Sequence, residues 1–410
     1  MEPNETTCRI CGGVVREFFD FGRQPLSDRF PSEDELDEEF FFRLAVGMCA
    51  ECTMVQLLEE VPRDRMFRHD YPYHSSGSRR MREHFARTAR TLLATELTGR
   101  DPFCVEIGSN DGIMLQVIGE AGVRHLGVEP SGGVAELSRA KGVQVRTAFF
   151  EESTAREIAD EHGPADVIYA ANTVCHIPYL DSVFRGVDAL LARDGVFVFE
   201  DPYLGDIVER NTFDQIYDEH FYLFTARSVR AAARRFGFEL VDVERLPVHG
   251  GEVRYTIARS AGRPAAARVD ELIAEETRRG LGEFGTMEKF GAEITRVCDD
   301  LVARLRELHD HGFYVVGYGA TAKSATVINY AGIGPDLMPY VYDTTPAKVG
   351  RHLPGSHIPI RPADEFGPPY PDYAVLFAWN HIEEVKAREA GFTAQGGRWI
   401  LYVPEFRLDS

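Results

Sequence analysis

Tyr217, Asp218, Glu219 and His220 occupy four consecutive positions in FDQIYDEHFYLFTA, residues 213–226. A phenol, two carboxylates and an imidazole so close together can move a proton and hold a developing oxyanion. Phe213, Phe221, Tyr222 and Phe224 flank them, and a solvated charge cluster has no use for such an apolar rim. The stretch therefore reads as a site that takes a proton from a substrate, against the plainer reading of a surface helix or loop with incidental charges. His220 is the candidate general base, because imidazole titrates near neutrality without special help. Glu219 would orient the ring or share the proton, and Tyr217 would donate a hydrogen bond to an oxyanion. Asp218 is expected to face solvent or to cap a turn. The aromatic neighbours would exclude water and strengthen these interactions.

A second chemistry lies near the N-terminus. Cys8 and Cys11 form CRIC, and Cys49 and Cys52 form CAEC. Each C-x-x-C turn points two sulfurs at one centre, and two turns close a four-sulfur shell around Zn2+. A closed shell leaves no place for water, so the expected role is structural; four unrelated buried cysteines are the competing reading. The acidic run SEDELDEE between the pairs reads as a solvated loop or surface turn. Tyr71, Tyr73 and His74 then lie in a Pro/Ser/Gly stretch ahead of an amphipathic helix. The tyrosines would pack on an interdomain surface or hang over a neighbouring pocket.

The elements that must position the tetrad are α/β. DPFCVEIGSNDGIML reads as strand, turn and helix, with Glu106 closing the strand and Gly108 and Gly112 bracketing Ser109, Asn110 and Asp111. HLGVEPS is the next strand and ends at Glu129, which could accept both ribose hydroxyls of a nucleoside. The turn lacks the third glycine of a dinucleotide fingerprint, and Asp111 stands where pyrophosphate would sit. An acid there suits a cationic, phosphate-free nucleoside, and S-adenosylmethionine fits that description. Two further strands end near Asn172 and at Glu200 and Asp201, with Cys175 and His176 just past the first. Ligands in open α/β sheets bind at such carboxyl ends, so His176 is a site candidate as well as a candidate structural histidine. His249, Gly250 and Gly251 mark a tight turn into an edge strand. After a charged helical connector from Arg263 to about Leu308, a second α/β unit opens with FYVVGYGATAKSATVINYAGIG. Gly317 and Gly319 lie in its turn, with Lys323 and Ser324 at the start of the helix, an arrangement that favours phosphate. Asp343 and Asn380 close later strands, completing a candidate nucleotide-diphosphate pocket or a purely structural lobe.

The 410 residues suffice for two or three domains, and a net charge of −20 argues against nucleic acid or an anionic membrane as partner. MEPNETTC lacks the basic start and apolar run of a leader, and no stretch reaches the roughly 18 apolar residues that span a bilayer. A cytoplasmic location with reduced thiols is expected.

Nearly end to end, the chain resembles the nucleotide-sugar C-methyltransferases of deoxysugar pathways. The likeness rests on CRICGG, MCAECTMVQLLEEVP, VEIGSNDGIML, GVEPS, HIP, FDQIYDEH, HGGEVRY and GYGATAKSATVINYAGIGPD. It is greatest to the group that acts at C-3 in thymidine-diphosphate (dTDP) mycarose formation in tylosin-type macrolide pathways. The resemblance implies a zinc-binding domain over residues 1–70 and a class I S-adenosylmethionine-dependent methyltransferase domain, Rossmann-like, over 71–260. A Rossmann-like α/β domain that holds the nucleotide sugar follows over 261–410. It implies roles for Tyr71, or else Tyr73, for His176, and for a Tyr-x-Glu-His motif at Tyr217, Glu219 and His220. The implied reaction removes the C-3 proton of a dTDP-4-keto-2,6-dideoxyhexose and methylates the enolate, in a monomer or weak homo-oligomer. O- or N-methylation of a nucleotide sugar, and a non-enzymatic scaffold, are the alternatives.

Overall fold

Strands of two to twelve residues between turns build three sheets, and each sheet carries one of the chemical clusters. The computed structural model describes residues 5–67, 69, 71 and 73–409.

The first sheet has five strands in the order Glu5–Thr7, Val14–Pro25, Phe41–Cys49, Val55–Leu57 and Tyr222–Leu223. The last of these comes from far along the chain, directly after the tetrad. Tyr222 pairs with Gln56 and Leu223 with Val55, and the Leu57 amide donates to the Phe221 carbonyl at 2.9 Å. The apolar run after His220 thus closes the edge of the cysteine-bearing sheet and anchors the tetrad to it.

The second sheet has seven strands, in the order 238–246, 252–259, 191–202, 165–171, 103–107, 124–128 and 145–146. Phe103–Ile107 is buried along its whole length, as a strand covered on both faces requires. It runs parallel to Arg124–Val128 on one side and Ala165–Ala171 on the other. The chain reverses its direction of winding between those neighbours, which opens a crevice at the strands' carboxyl ends. The third sheet repeats the device around Val315–Tyr318, which lies parallel to Val341–Asp343 and Tyr373–Leu376.

The connector resolves into two helices, Ala267–Arg278 and Phe284–Asp310. Gly291 of the second passes so close to the first sheet that a Cβ there would lie 2.9 Å from the Phe19 ring. The acidic run forms the surface turn expected of it, with Glu33, Asp34, Asp37 and Glu38 exposed. Glu33–Glu38 forms a 3-10 turn capped by Ser32, and Glu35 with the following Glu39 reaches the third unit. Arg351 lies 3.3 Å from Glu35, while Glu39 accepts from the Gly355 amide at 3.0 Å and pairs with His357. Complementary charge across the contact accounts for Glu35 and Glu39, and solvent for the exposed acids of the run. Among the described residues, no helix is long and apolar enough to cross a membrane.

Candidate active site

The carboxyl ends of the second and third sheets face a shared cavity of about 570 Å3. Tyr71, His176, Tyr217, Glu219 and His220 all line it, and so does Tyr73. Gly108, Asn110, Glu129 and Asn172 form part of one wall, and Lys323 and Asn380 part of another.

The turn after Tyr217 folds the tetrad back on itself. His220 Nδ1 lies 2.6 Å from the Gln215 carbonyl oxygen, an acceptor only, so that nitrogen carries the proton. Nε2 is then the lone pair, and Tyr217 O–H donates to it at 2.7 Å. Glu219 accepts from Tyr71 O–H at 2.9 Å and stands 3.9 Å from His176 Nδ1. The His176 ring stacks on Phe67 and lies 5.2 Å from the His220 ring, and its Nε2 has no partner among the described residues. Burial is the first cause of every pKa shift here. It pushes His220 well below its ordinary value and His176 down to about 3, so both rings are neutral at physiological pH. Burial, with the charges of Asp28 and Asp218, raises Glu219 well above the ordinary carboxylate value. Asp218 does not face solvent: it is buried, and Oδ1 accepts the Ser27 amide at 3.0 Å. Of the two expected roles the structure keeps the cap, and what it caps belongs to the first sheet's unit.

The glycine turn has the shape a bound nucleoside needs. Gly108 has φ +65, and a Cβ there would meet Thr173 Oγ1 at 2.3 Å. Asn110, Asn172 and His249 all line the cavity with φ +48, a left-handed conformation that costs a non-glycine residue energy and recurs at binding sites. Asn110 Oδ1 accepts the Ser75 amide at 2.9 Å and its Nδ2 donates to the Tyr73 carbonyl at 3.1 Å, which holds that segment over the turn. Glu129 accepts the amides of Asn110 and Ser131 at 2.9 and 2.8 Å, and each carboxylate oxygen keeps a lone pair for a ribose hydroxyl.

Six of the expected binding residues do not line the cavity. Glu106 is buried behind the turn. Asp111 is buried and pairs with Lys141 Nζ at 2.9 Å, so its carboxylate is not part of the cavity wall. In the third unit, Gly317 and Gly319 serve close packing: a Cβ would come within 2.6 Å of Val341 and 2.9 Å of Ala378. Ser324 Oγ donates to the Thr321 carbonyl at 2.6 Å. Asp343 receives the Ala320 and Thr345 amides, each at 2.7 Å. These residues shape the turn from behind.

The four N-terminal cysteines converge as their spacing predicts. Cys8 Sγ lies 3.6 Å from Cys52 Sγ, Cys11 Sγ lies 3.4 Å from Cys49 Sγ, and all four sulfurs fall within 4.8 Å of one another. A tetrahedron with Zn–S of about 2.3 Å has sulfurs roughly 3.8 Å apart, so the set fits Zn2+. Amides of Ile10, Gly13 and Glu51 point at three of the sulfurs at 3.4 Å, as thiolate ligands require.

Three family models match consecutive stretches: "Putative zinc binding domain" over residues 8–67, "Methyltransferase domain" over 78–243 and "C-methyltransferase C-terminal domain" over 247–404. C-methyltransferase NovU of Streptomyces niveus is 35% identical over 410 residues, covering 98% of this chain and 96% of its own. The chain belongs to the C-methyltransferase family. Sterol 4-C-methyltransferase strm-1 of Caenorhabditis elegans is 25% identical over 160 residues, covering 35% of this chain and 46% of its own. Among solved structures, magnesium protoporphyrin IX methyltransferase of Synechocystis PCC 6803 with bound SAM aligns at 12% identity and a TM-score of 0.33, over 44% of this chain and 79% of its own.

The C-methyltransferase is thus an S-adenosylmethionine-dependent transferase with a class I Rossmann-like fold and an N-terminal zinc-binding domain. Family membership sets aside both the scaffold and transfer to oxygen or nitrogen. On the third-unit side of its cavity stand two lysines. Lys323 Nζ has no hydrogen bond or ion pair among the described residues, and burial lowers its pKa. Lys348 Nζ donates to the Ala320 carbonyl at 2.7 Å and rides 4.5 Å from the Phe30 ring centre. Sequence reasoning missed Lys348, His249, His381 and Asp28 as lining residues of the C-methyltransferase. The turn after Asp343 pointed toward Lys348, and HGG toward His249. Asp28, in PLSDRF, carries no local signal at all.

Proposed function

We propose that the enzyme methylates C-3 of a dTDP-4-keto-2,6-dideoxyhexose through an enolate, in branched deoxysugar (mycarose-type) antibiotic biosynthesis. The observation that carries this reading is one shared cavity. It holds a base with a defined lone pair, a phenol already bonded to that lone pair, and two lysines on the far wall. A carbon acid next to a ketone needs the first two, and a diphosphate needs the third.

On this reading His220 Nε2 takes the C-3 proton. The ketone oxygen competes for the Tyr217 proton, so its arrival exposes the lone pair and gives the developing oxyanion a donor at once. His176, neutral, adds a second donor, and Tyr71 with Glu219 holds the far side of the ring cluster. Bound S-adenosylmethionine supplies the electrophilic methyl, and Gly108, Asn110, Glu129 and Asn172 are the residues that would seat it. Lys323, with Lys348 and Asn380, would hold the diphosphate or the sugar. Residues 1–70, 71–260 and 261–410 then carry zinc, methyl donor and nucleotide respectively.

The test is the product. Incubation of dTDP-4-keto-2,6-dideoxyhexose with enzyme and S-adenosylmethionine should add one methyl by mass spectrometry, with NMR placing it on C-3. Without the methyl donor, enzyme in deuterium oxide should exchange the C-3 hydrogen. A methyl on another atom, or no exchange, sinks the reading.

The pH profile offers a second check. Because burial lowers the His220 pKa, the free base persists below the ordinary histidine range and is lost only as pH falls through the lowered value. kcat/KM should therefore show no ascending limb near pH 6.5. A limb centred near 6.5 would assign the base elsewhere.

A further inference from the structure

The zinc-bearing sheet ends its second strand at Pro25, and the chain then turns into the cavity rather than away from it. Asp28, three residues on, lines the reaction cavity. It also lines a neighbouring cavity of about 200 Å3, and Tyr71, Glu219 and Lys348 stand with it in the wall between the two. Its carboxylate has no hydrogen bond or ion pair among the described residues. Asp28 is half-buried, so an unpaired carboxylate at the cavity wall is open to accept a hydrogen bond from a ligand.

The placement is enforced from two directions. Asp218 holds the Ser27 amide at 3.0 Å, tying the loop to the tetrad. Arg351 Nη1 donates to the Phe30 carbonyl at 2.9 Å and the His352 amide to the Pro31 carbonyl at 3.0 Å, tying it to the third unit. A loop pinned at both ends with an unpaired acid between the pins is built to present that acid. Burial raises the Asp28 pKa, while the charges of Lys348 and Lys323 act to lower it. In the shared wall Asp28 stands with Tyr71 and Glu219 of the reacting cluster and with Lys348.

We propose that Asp28 is a substrate-positioning residue, accepting a hydrogen bond from a hydroxyl or ammonium group on the ring of the methyl acceptor. This rests on the reading of the cavity as a nucleotide-sugar site. A nucleotide sugar with its ketone at Tyr217 and its diphosphate at the lysines must pass Asp28 with its sugar ring. A carboxylate repels the phosphates and cannot donate to a ketone, so a ring donor is the partner its chemistry selects. The zinc-binding unit then supplies part of the substrate site itself.

Calorimetry separates the possibilities, with dTDP and dTDP-4-keto-6-deoxyglucose as probes against wild type, Asp28→Ala and Asp28→Asn. The expected result is unchanged dTDP binding and a Kd for the sugar nucleotide raised at least about tenfold by Asp28→Ala, as for loss of a hydrogen bond to a charged group. Asp28→Asn, which keeps one acceptor oxygen, should fall between; being nearly isosteric, it carries the test if the alanine variant does not fold. Zinc content and S-adenosylmethionine affinity should match wild type in both. Sugar-nucleotide binding that is unchanged, or equal weakening of both probes, overturns the proposal. If wild type binds neither probe, the nucleotide-sugar reading fails first and takes this proposal with it.

Discussion

His220→Asn should lower kcat by at least about two orders of magnitude while S-adenosylmethionine binds as in wild type. The substitution is chosen for what it keeps. An asparagine amide can still donate to the Gln215 carbonyl that His220 Nδ1 faces at 2.6 Å, so the turn has its internal bond. What it lacks is a basic lone pair beside Tyr217. General-base assistance is worth roughly 10²–10⁴-fold, and the buried surroundings admit few substitutes. Burial raises Glu219 and Tyr217 well above their ordinary values, which disfavours the carboxylate and the phenolate alike. Single-turnover kinetics and calorimetry with the methyl donor check the two halves separately. Turnover close to wild type would remove His220 from the proton transfer.

Cys49→Ser should abolish stoichiometric zinc and, with it, the fold of the first sheet. Cys49 is fully buried at the end of Phe41–Cys49, where its amide donates to the Met54 carbonyl at 2.9 Å. Structural zinc contributes apparent binding energies of about 10–16 kcal/mol in zinc-finger peptides, as large as the whole stability of an ordinary domain. Serine is a poor zinc ligand, and three thiols left around a void hold neither metal nor geometry. The damage should reach the chemistry, because Tyr222–Leu223 pairs with this sheet immediately after His220 and Asp218 caps Ser27. Metal analysis, thermal unfolding and activity should all fall together. A zinc-free variant with wild-type melting temperature and turnover would show that the metal does not support this architecture.

Both predictions concern residues that local sequence pattern makes legible. Cys8, Cys11, Cys49 and Cys52 are read from spacing, because a C-x-x-C turn is a local geometry. His220, Tyr217 and Glu219 are read from a tetrad whose aromatic rim signals burial, and all of them line the cavity. Gly108, Asn110 and Glu129 follow from their places at strand ends, where the α/β fold puts ligands. Less followed where local reasoning had to guess a side chain's direction. Asp111 lies in the right turn, but its side chain pairs with Lys141 from the next helix rather than facing a ligand. Ser324 and Asp343 are likewise in the right turns, with their polar atoms already engaged by neighbouring backbone.

The sequence by itself therefore determined the metal shell, the two α/β units and the candidate cluster at Tyr217, Glu219 and His220, since each depends on contacts within a turn or one strand–helix unit. Only the tertiary structure decided that the two α/β units and the cluster share one cavity. Asp218 meets Ser27 across 191 residues of chain, and Thr326 donates to the Ile216 carbonyl across 110. Such contacts depend on how three separately patterned sheets pack, and nothing in the residues around Asp28 or Lys348 encodes the partner that packing brings to them.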